Sequence, residues 1–128
     1  MLEQGGAAMR CLIVDDSRVI RAVARKILEA RGYEVEEAEE GDEGLDACEE
    51  WGPDLVQIEW QLPDMSGIEF LQQLPQHSKG KMPKVVFCSN EGSYASIEAA
   101  VQAGATEYIM KPFDSDVFAS KLELAGLQ

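Results

Sequence analysis

The sequence predicts one α/β domain, a parallel five-stranded sheet with helices on both faces. Three observations predict it. Five short apolar runs recur along the chain, each followed by a segment whose apolar residues fall at helical spacing. Such alternation requires crossover helices and therefore parallel strands. At 128 residues the chain is long enough for one core and too short for two. Hydrophobic residues make up 45% of it, an ordinary globular share.

Cys11-Leu12-Ile13-Val14 is a buried-strand run that stops at Asp15-Asp16-Ser17, where Ser17 or Asp16 can cap the next helix. That helix carries Val19, Ile20, Val23, Ala24, Ile27 and Leu28 on one stripe and is stopped by Gly32. Tyr33 to Ala38 alternates and reads as an edge strand with one charged face. A second helix opens at Gly41, places Leu45, Cys48 and Trp51 inward, and ends at Gly52-Pro53. Leu55-Val56-Gln57-Ile58 is the third strand and stops at Glu59. A loop over residues 60–66 leads into a short helix from Gly67 with Ile68, Phe70 and Leu71. After a polar link from Gln76 to Met82, Lys84-Val85-Val86-Phe87-Cys88 forms the fourth strand and stops at Ser89-Asn90. Ile97, Ala100 and Val101 mark the fourth helix, closed by Gly104. Tyr108-Ile109-Met110 is the fifth strand, halted by Lys111-Pro112, and Val117, Phe118 and Leu122 mark the last helix. Residues 1–8 precede this pattern, and Met9 stands directly before the first strand. They read as an N-terminal extension, a cloning scar or a mis-assigned start, with the domain over residues 9–128. They have neither the basic nor the apolar region of a signal peptide.

The formal charge is −13, from 24 acidic and 11 basic residues. A phosphate backbone or an anionic membrane selects for basic proteins, so neither nucleic acid nor membrane is an expected partner. The charge is uneven. There is no Lys or Arg from Gly32 to Ser78, and ten of the seventeen residues from Glu34 to Glu50 are acidic. A solvated edge of the domain explains this, and a docking face for a basic partner is the sharper alternative. Cys11, Cys48 and Cys88 lack metal-type spacing and read as buried, reduced thiols of a cytoplasmic protein.

In a parallel α/β sheet, polar groups just past the strand ends gather on one edge, where such domains bind ligands. Here those groups are Asp15 and Asp16, Glu59, Ser89 and Lys111. Any one alone is a helix cap or a surface residue, but four strands delivering such groups to one edge exceed what capping needs. Clustered carboxylates call for a cation, and hard oxygen ligands suit Mg²⁺. Such a cation bridges to a phosphoryl oxygen, while Ser89 offers a hydroxyl and Lys111 a point charge for the others. The carboxylate at 59 stands where a nucleophile would take the phosphoryl group as an acyl phosphate.

These residues carry a resemblance. The chain resembles a CheY-like response-regulator receiver domain through four stretches. They are Leu12-Ile13-Val14-Asp15-Asp16-Ser17, the segment Pro53-Asp54-Leu55-Val56 with Leu62-Pro63-Asp64-Met65-Ser66-Gly67, Ala103-Gly104-Ala105, and Tyr108-Ile109-Met110-Lys111-Pro112-Phe113. Position 59 precedes Ser89 by 30 residues and Ser89 precedes Lys111 by 22, in agreement with that family. The resemblance runs from Met9 to the C-terminus. It implies a flavodoxin-like (βα)5 fold with strand order 2-1-3-4-5. It implies Mg²⁺ held by Asp16, by Asp15 partly through water, by the carboxylate at 59 and by the main-chain carbonyl of Gln61. It also implies Ser89 as the hydroxyl and Tyr108 as the aromatic of the switch, Lys111 as the phosphate-binding lysine, and a cis bond before Pro112. Gln61 and Glu91 fall at the two positions that tune dephosphorylation. The implied partners are a histidine kinase or histidine phosphotransfer protein, and a target protein on the face of the fourth helix, fifth strand and fifth helix.

One residue departs from the family. Its acceptor is aspartate, and this chain has Glu59. The extra methylene adds about 1.5 Å of reach, and roughly 1 Å of misplacement can cost about 100-fold in rate. Three readings follow: a substitution introduced into an ordinary receiver to mimic its active state or block transfer, a natural receiver that dispenses with phosphorylation, and a receiver that phosphorylates on Glu59. The enzyme alternative is a Mg²⁺-dependent phosphohydrolase with an aspartyl nucleophile. It needs nucleophile and acid two residues apart after the first strand, whereas Asp15 and Asp16 are adjacent. A flavin or nucleotide binder of this topology needs a glycine-rich loop after that strand, which is missing.

Overall fold

The computed structural model describes residues 8–90 and 92–126. Strands β1 (Arg10–Val14), β2 (Glu34–Ala38), β3 (Leu55–Glu59), β4 (Lys84–Ser89) and β5 (Glu107–Met110) alternate with helices. The helices are α1 (Arg18–Ala30), α2 (Gly41–Trp51), α3 (Gly67–Gln73), α4 (Tyr94–Gln102) and α5 (Ser115–Leu124). A 3₁₀ turn over Leu74–His77 follows α3. All four strand pairings are parallel, in the order β2-β1-β3-β4-β5. This is the 2-1-3-4-5 order of the flavodoxin-like fold.

Alternation along the strands divides the core into two layers. Leu12, Val14, Val56, Ile58, Val85 and Phe87 face α2, α3 and α4, meeting Leu45, Phe70, Leu71 and Ala100. Cys11, Ile13, Leu55, Val86, Cys88 and Ile109 face α1 and α5, meeting Ala24, Leu28, Phe118 and Leu122. Each large apolar side chain fully buried here contributes about 1.5–3 kcal/mol. All three cysteines are buried free thiols, as their apolar contexts implied.

The helices start where the chain offers caps. Ser17 caps α1 through the N–H of Ile20, Ser93 caps α4 through that of Ser96, and Asp114 caps α5 through that of Val117. Ser66 and Glu69 form a reciprocal capping box on α3. Gly52, in the left-handed region at φ 67°, ends α2.

The apolar stripe of α1 is narrower than the spacing predicted. Val19 is 69% exposed and Val23 40%, while only Ala24 and Leu28 are fully covered. Val19 and Val23 lie one turn apart on a strip beside the buried stripe of Ala24 and Leu28, rotated about the helix axis toward solvent. Val101 and Val117 likewise face outward, because α4 and α5 flank β5 at the open side of the sheet.

Candidate functional site at the strand ends

Parity along the strands explains how the site assembles. Asp15, Glu59 and Lys111 continue the alternating rows of Cys11 and Ile13, of Leu55 and Gln57, and of Ile109, so they rise on the α1/α5 side of the sheet. Ser89 continues the row of Val85 and Phe87, toward the other side.

Three of these side chains form one bonded group. Nζ of Lys111 donates to Oδ2 of Asp15 at 2.8 Å and to Oε1 of Glu59. Asp15 is 1% exposed at its side chain, and Lys111 and Glu59 are 12% and 13%. The other oxygens are also engaged. Oδ1 of Asp15 accepts the N–H of Ser17 at 2.8 Å, and Oε2 of Glu59 accepts the N–H of Trp60. Burial lifts the Asp15 carboxyl above its ordinary value, opposed by Lys111 and the Ser17 N–H. Burial alone would lower the Lys111 ammonium, but its bonds to Asp15 and Glu59 outweigh that and hold it above its ordinary value.

The remaining site residues surround this group. Ser89 is buried, and its carbonyl accepts the Lys111 N–H at 2.9 Å, which ties the ends of β4 and β5 together. The bond from Lys111 to Pro112 is cis. Tyr108 is 5% exposed, so it lies inward. Its ring centroid is 6.5 Å from Trp60 and 6.3 Å from Phe87, and Trp60 meets Phe87 edge-on at 5.6 Å. Asp16 is exposed beside the group, and Gln61 is exposed on the loop after β3, bridged to Ser66 by main chain. Glu91 lies outside the described residues.

The donor chemistry of Asp15, Asp16 and Glu59 at this edge suits Mg²⁺. An ammonium already joins the two carboxylates that converge. No three acidic, His or Cys side chains among the described residues come together as a metal-holding group.

Sequence reasoning missed three residues. Arg21 donates from Nη1 to the Asp15 carbonyl at 2.8 Å and from Nε to Glu37 at 2.9 Å, bracing the site from α1. Its signal was an Arg21/Arg25 pair one turn apart facing an acidic strand. Asp64 accepts the N–H groups of Gly41 and Asp42. Gln57 is a 1% exposed amide two residues before Glu59, and neither Nε2 nor Oε1 has a protein hydrogen-bond partner. A glutamine in an otherwise apolar strand was its signal.

Comparison with known proteins agrees with this geometry. The family model "Response regulator receiver domain" matches residues 11–123. The chain belongs to that family, the CheY-like receivers of two-component signalling, which act as signalling switches. It is similar to the chemotaxis protein CheY of Bacillus subtilis, at 37% identity over 85% of this chain and 90% of the relative. It is also similar to a solved CheY-like receiver from Methanospirillum hungatei, at TM-score 0.81 and 34% identity over 91% of this chain and 92% of the other. The structure of CheY4 from Vibrio cholerae matches at TM-score 0.83 and 27% identity, over 93% and 99%. Among the described residues no helix is long and apolar enough to cross a membrane.

Proposed function

We propose that this chain is a receiver switch whose signalling shape is set by Glu59 in place of a phosphorylated aspartate. One observation carries the reading: Glu59 is bonded to Lys111 while Tyr108 lies buried against Trp60 and Phe87. A phosphorylated acceptor would offer Lys111 an anionic oxygen farther out than an aspartate reaches. The longer glutamate supplies such an oxygen from within the chain. Ser89, tied to Lys111 through main chain, and Tyr108, packed under Trp60, are the elements through which that contact biases the rest of the domain.

The output surface is the face of α4, β5 and α5. Val101, Met110 and Val117 are large apolar residues exposed there, which suits a protein partner. Family membership points to a histidine kinase or histidine phosphotransfer protein upstream, and to Mg²⁺ as the cation of the transfer. With glutamate at the acceptor position the chain takes up little or no phosphoryl group itself.

Intact mass after incubation with a small acyl phosphate and Mg²⁺ tests this. The chain stays unmodified, and Glu59→Asp gains about 80 Da, the mass of one phosphoryl group. A stable adduct on the unsubstituted chain would overturn the reading.

A further inference from the structure

Asp15 is held at every polar atom it has. Its N–H donates to the Ala38 carbonyl at 3.1 Å, its Oδ1 accepts the N–H of Ser17 at 2.8 Å, and its Oδ2 accepts Nζ of Lys111 at 2.8 Å. The remaining atom, the main-chain oxygen, accepts Nη1 of Arg21 at 2.8 Å. Arg21 is itself anchored on the other side of its fork. Its Nε donates to Glu37 at 2.9 Å, and its side chain is only 11% exposed. Glu37 stands opposite Ile13 in the sheet, and Arg25 holds its second oxygen. A planar guanidinium that spans two fixed acceptors has little freedom left.

The carbonyl of Asp15 and the N–H of Asp16 belong to one planar peptide. Fixing that carbonyl fixes the direction in which the chain runs on to Asp16, whose side chain is exposed and not enclosed by neighbours. We infer that Arg21 is a positioning residue for the acidic pair: anchored on Glu37, it sets the peptide between Asp15 and Asp16 and thereby strengthens the hold of this edge on Mg²⁺. The charge of Arg21 works the other way. A guanidinium beside a cation site repels the cation. A partner that orients metal ligands from behind them is worth about 10–100-fold in affinity. The two roles therefore give opposite results when Arg21 is removed, and the brace is the larger.

The inference rests on the receiver reading for its choice of cation and is tested apart from it. The full chain in a Trp51→Phe background, where Trp60 is the only tryptophan, is titrated with Mg²⁺ alone at constant ionic strength, and Trp60 emission is followed. Arg21→Met keeps the apolar stem and loses the fork, and its Mg²⁺ midpoint rises at least about tenfold. Arg25→Met removes the same charge one turn along α1 and also leaves Glu37, but Arg25 has no bond to the Asp15 main chain. Its midpoint stays at the parent's or falls below it. Lost helix stability alone would lower the melting temperature of both variants without separating their midpoints. An unchanged or lower midpoint in Arg21→Met overturns the inference. So does an equal rise in Arg25→Met, and so does a parent with no saturable response, because there is then no cation site to set. If circular dichroism shows that Arg21→Met does not fold, Arg21→Gln replaces it. That variant is uncharged and too short to span both acceptors, and the same results support or overturn the inference. No phosphoryl donor enters these titrations, so their failure leaves the phosphoryl-uptake result standing, and the reverse also holds.

Discussion

Asp64 closes the N-terminus of a helix that begins at Gly41, far upstream in sequence. Its Oδ1 accepts the N–H of Gly41 at 2.8 Å and its Oδ2 that of Asp42 at 2.9 Å. The residue before that helix, Glu40, makes no side-chain cap. The loop after Glu59 is therefore fastened to α2, and through it to the sheet.

This contact has a pH signature. Burial works against the Asp64 carboxylate, but the N–H groups of Asp42, Gly41, Asp64 itself and Met65 together outweigh it and hold the carboxyl below its ordinary value of 3.8. A carboxylate lowered in the folded state stabilises fully above that ordinary value, and the contribution is lost as pH falls through the lower folded value. Asp64→Ala costs about 1 kcal/mol at neutral pH, as for a lost helix cap. The gap between variant and parent seen at neutral pH narrows at acid pH, as the pH falls from 3.8 through the lower folded value. Urea unfolding at both pH values checks this, and a gap independent of pH would count against the cap.

Gln57 makes the opposite prediction. A buried amide without a protein partner is costly, and an apolar residue of similar volume removes that cost. Gln57→Met should raise stability by about 1–3 kcal/mol. Denaturant unfolding reads the change directly. A loss of stability would mean that the amide is satisfied within the α1/α5 layer.

Gly67 allows close approach at the start of α3. A Cβ there would lie 2.7 Å from the main-chain oxygen of Glu59 and 3.3 Å from that of Trp60. Main chain cannot swing aside as a flexible side chain can. Gly67→Ala therefore costs about 1–3 kcal/mol as overpacking and shifts Trp60 emission by moving the end of β3. An unchanged melting temperature would show that α3 slides freely.

The thiols should be inert in the folded protein. Burial pushes Cys48 and Cys88 up to about 12, and Cys11 higher still. The thiolate is the reactive form. A thiol reagent at mildly alkaline pH should label none of the three in the native state and all of them in denaturant. Rapid native labelling of Cys48 would show that α2 opens locally.

Much of this was legible in the sequence, for a physical reason. Apolar runs that stop at a polar residue mark strand ends, and parallel topology gathers those ends on one edge. Asp15, Glu59, Ser89 and Lys111 could therefore be placed together before any contact was known. Their bonding could not, because it depends on which side of the sheet each residue rises from and how far each side chain reaches. Val19 and Val23 fit a broad apolar stripe yet face outward, since periodicity cannot tell how much of that stripe the sheet covers. Asp64 acts on an element distant in sequence, and local pattern carries no signal for such a contact, whereas Arg21 left only the trace of a basic pair one turn apart.

The acidic edge strand has a consequence for how copies of this chain meet. β2 borders the sheet, with Glu34 and Glu36 exposed along it and Glu39, Glu40 and Asp42 just beyond. An open strand edge is a template on which another copy can continue the sheet. Two such rims brought side by side would set carboxylate against carboxylate along their whole length. The same glutamates that leave this region without a basic residue thus guard this edge of the sheet against a sixth strand from another copy.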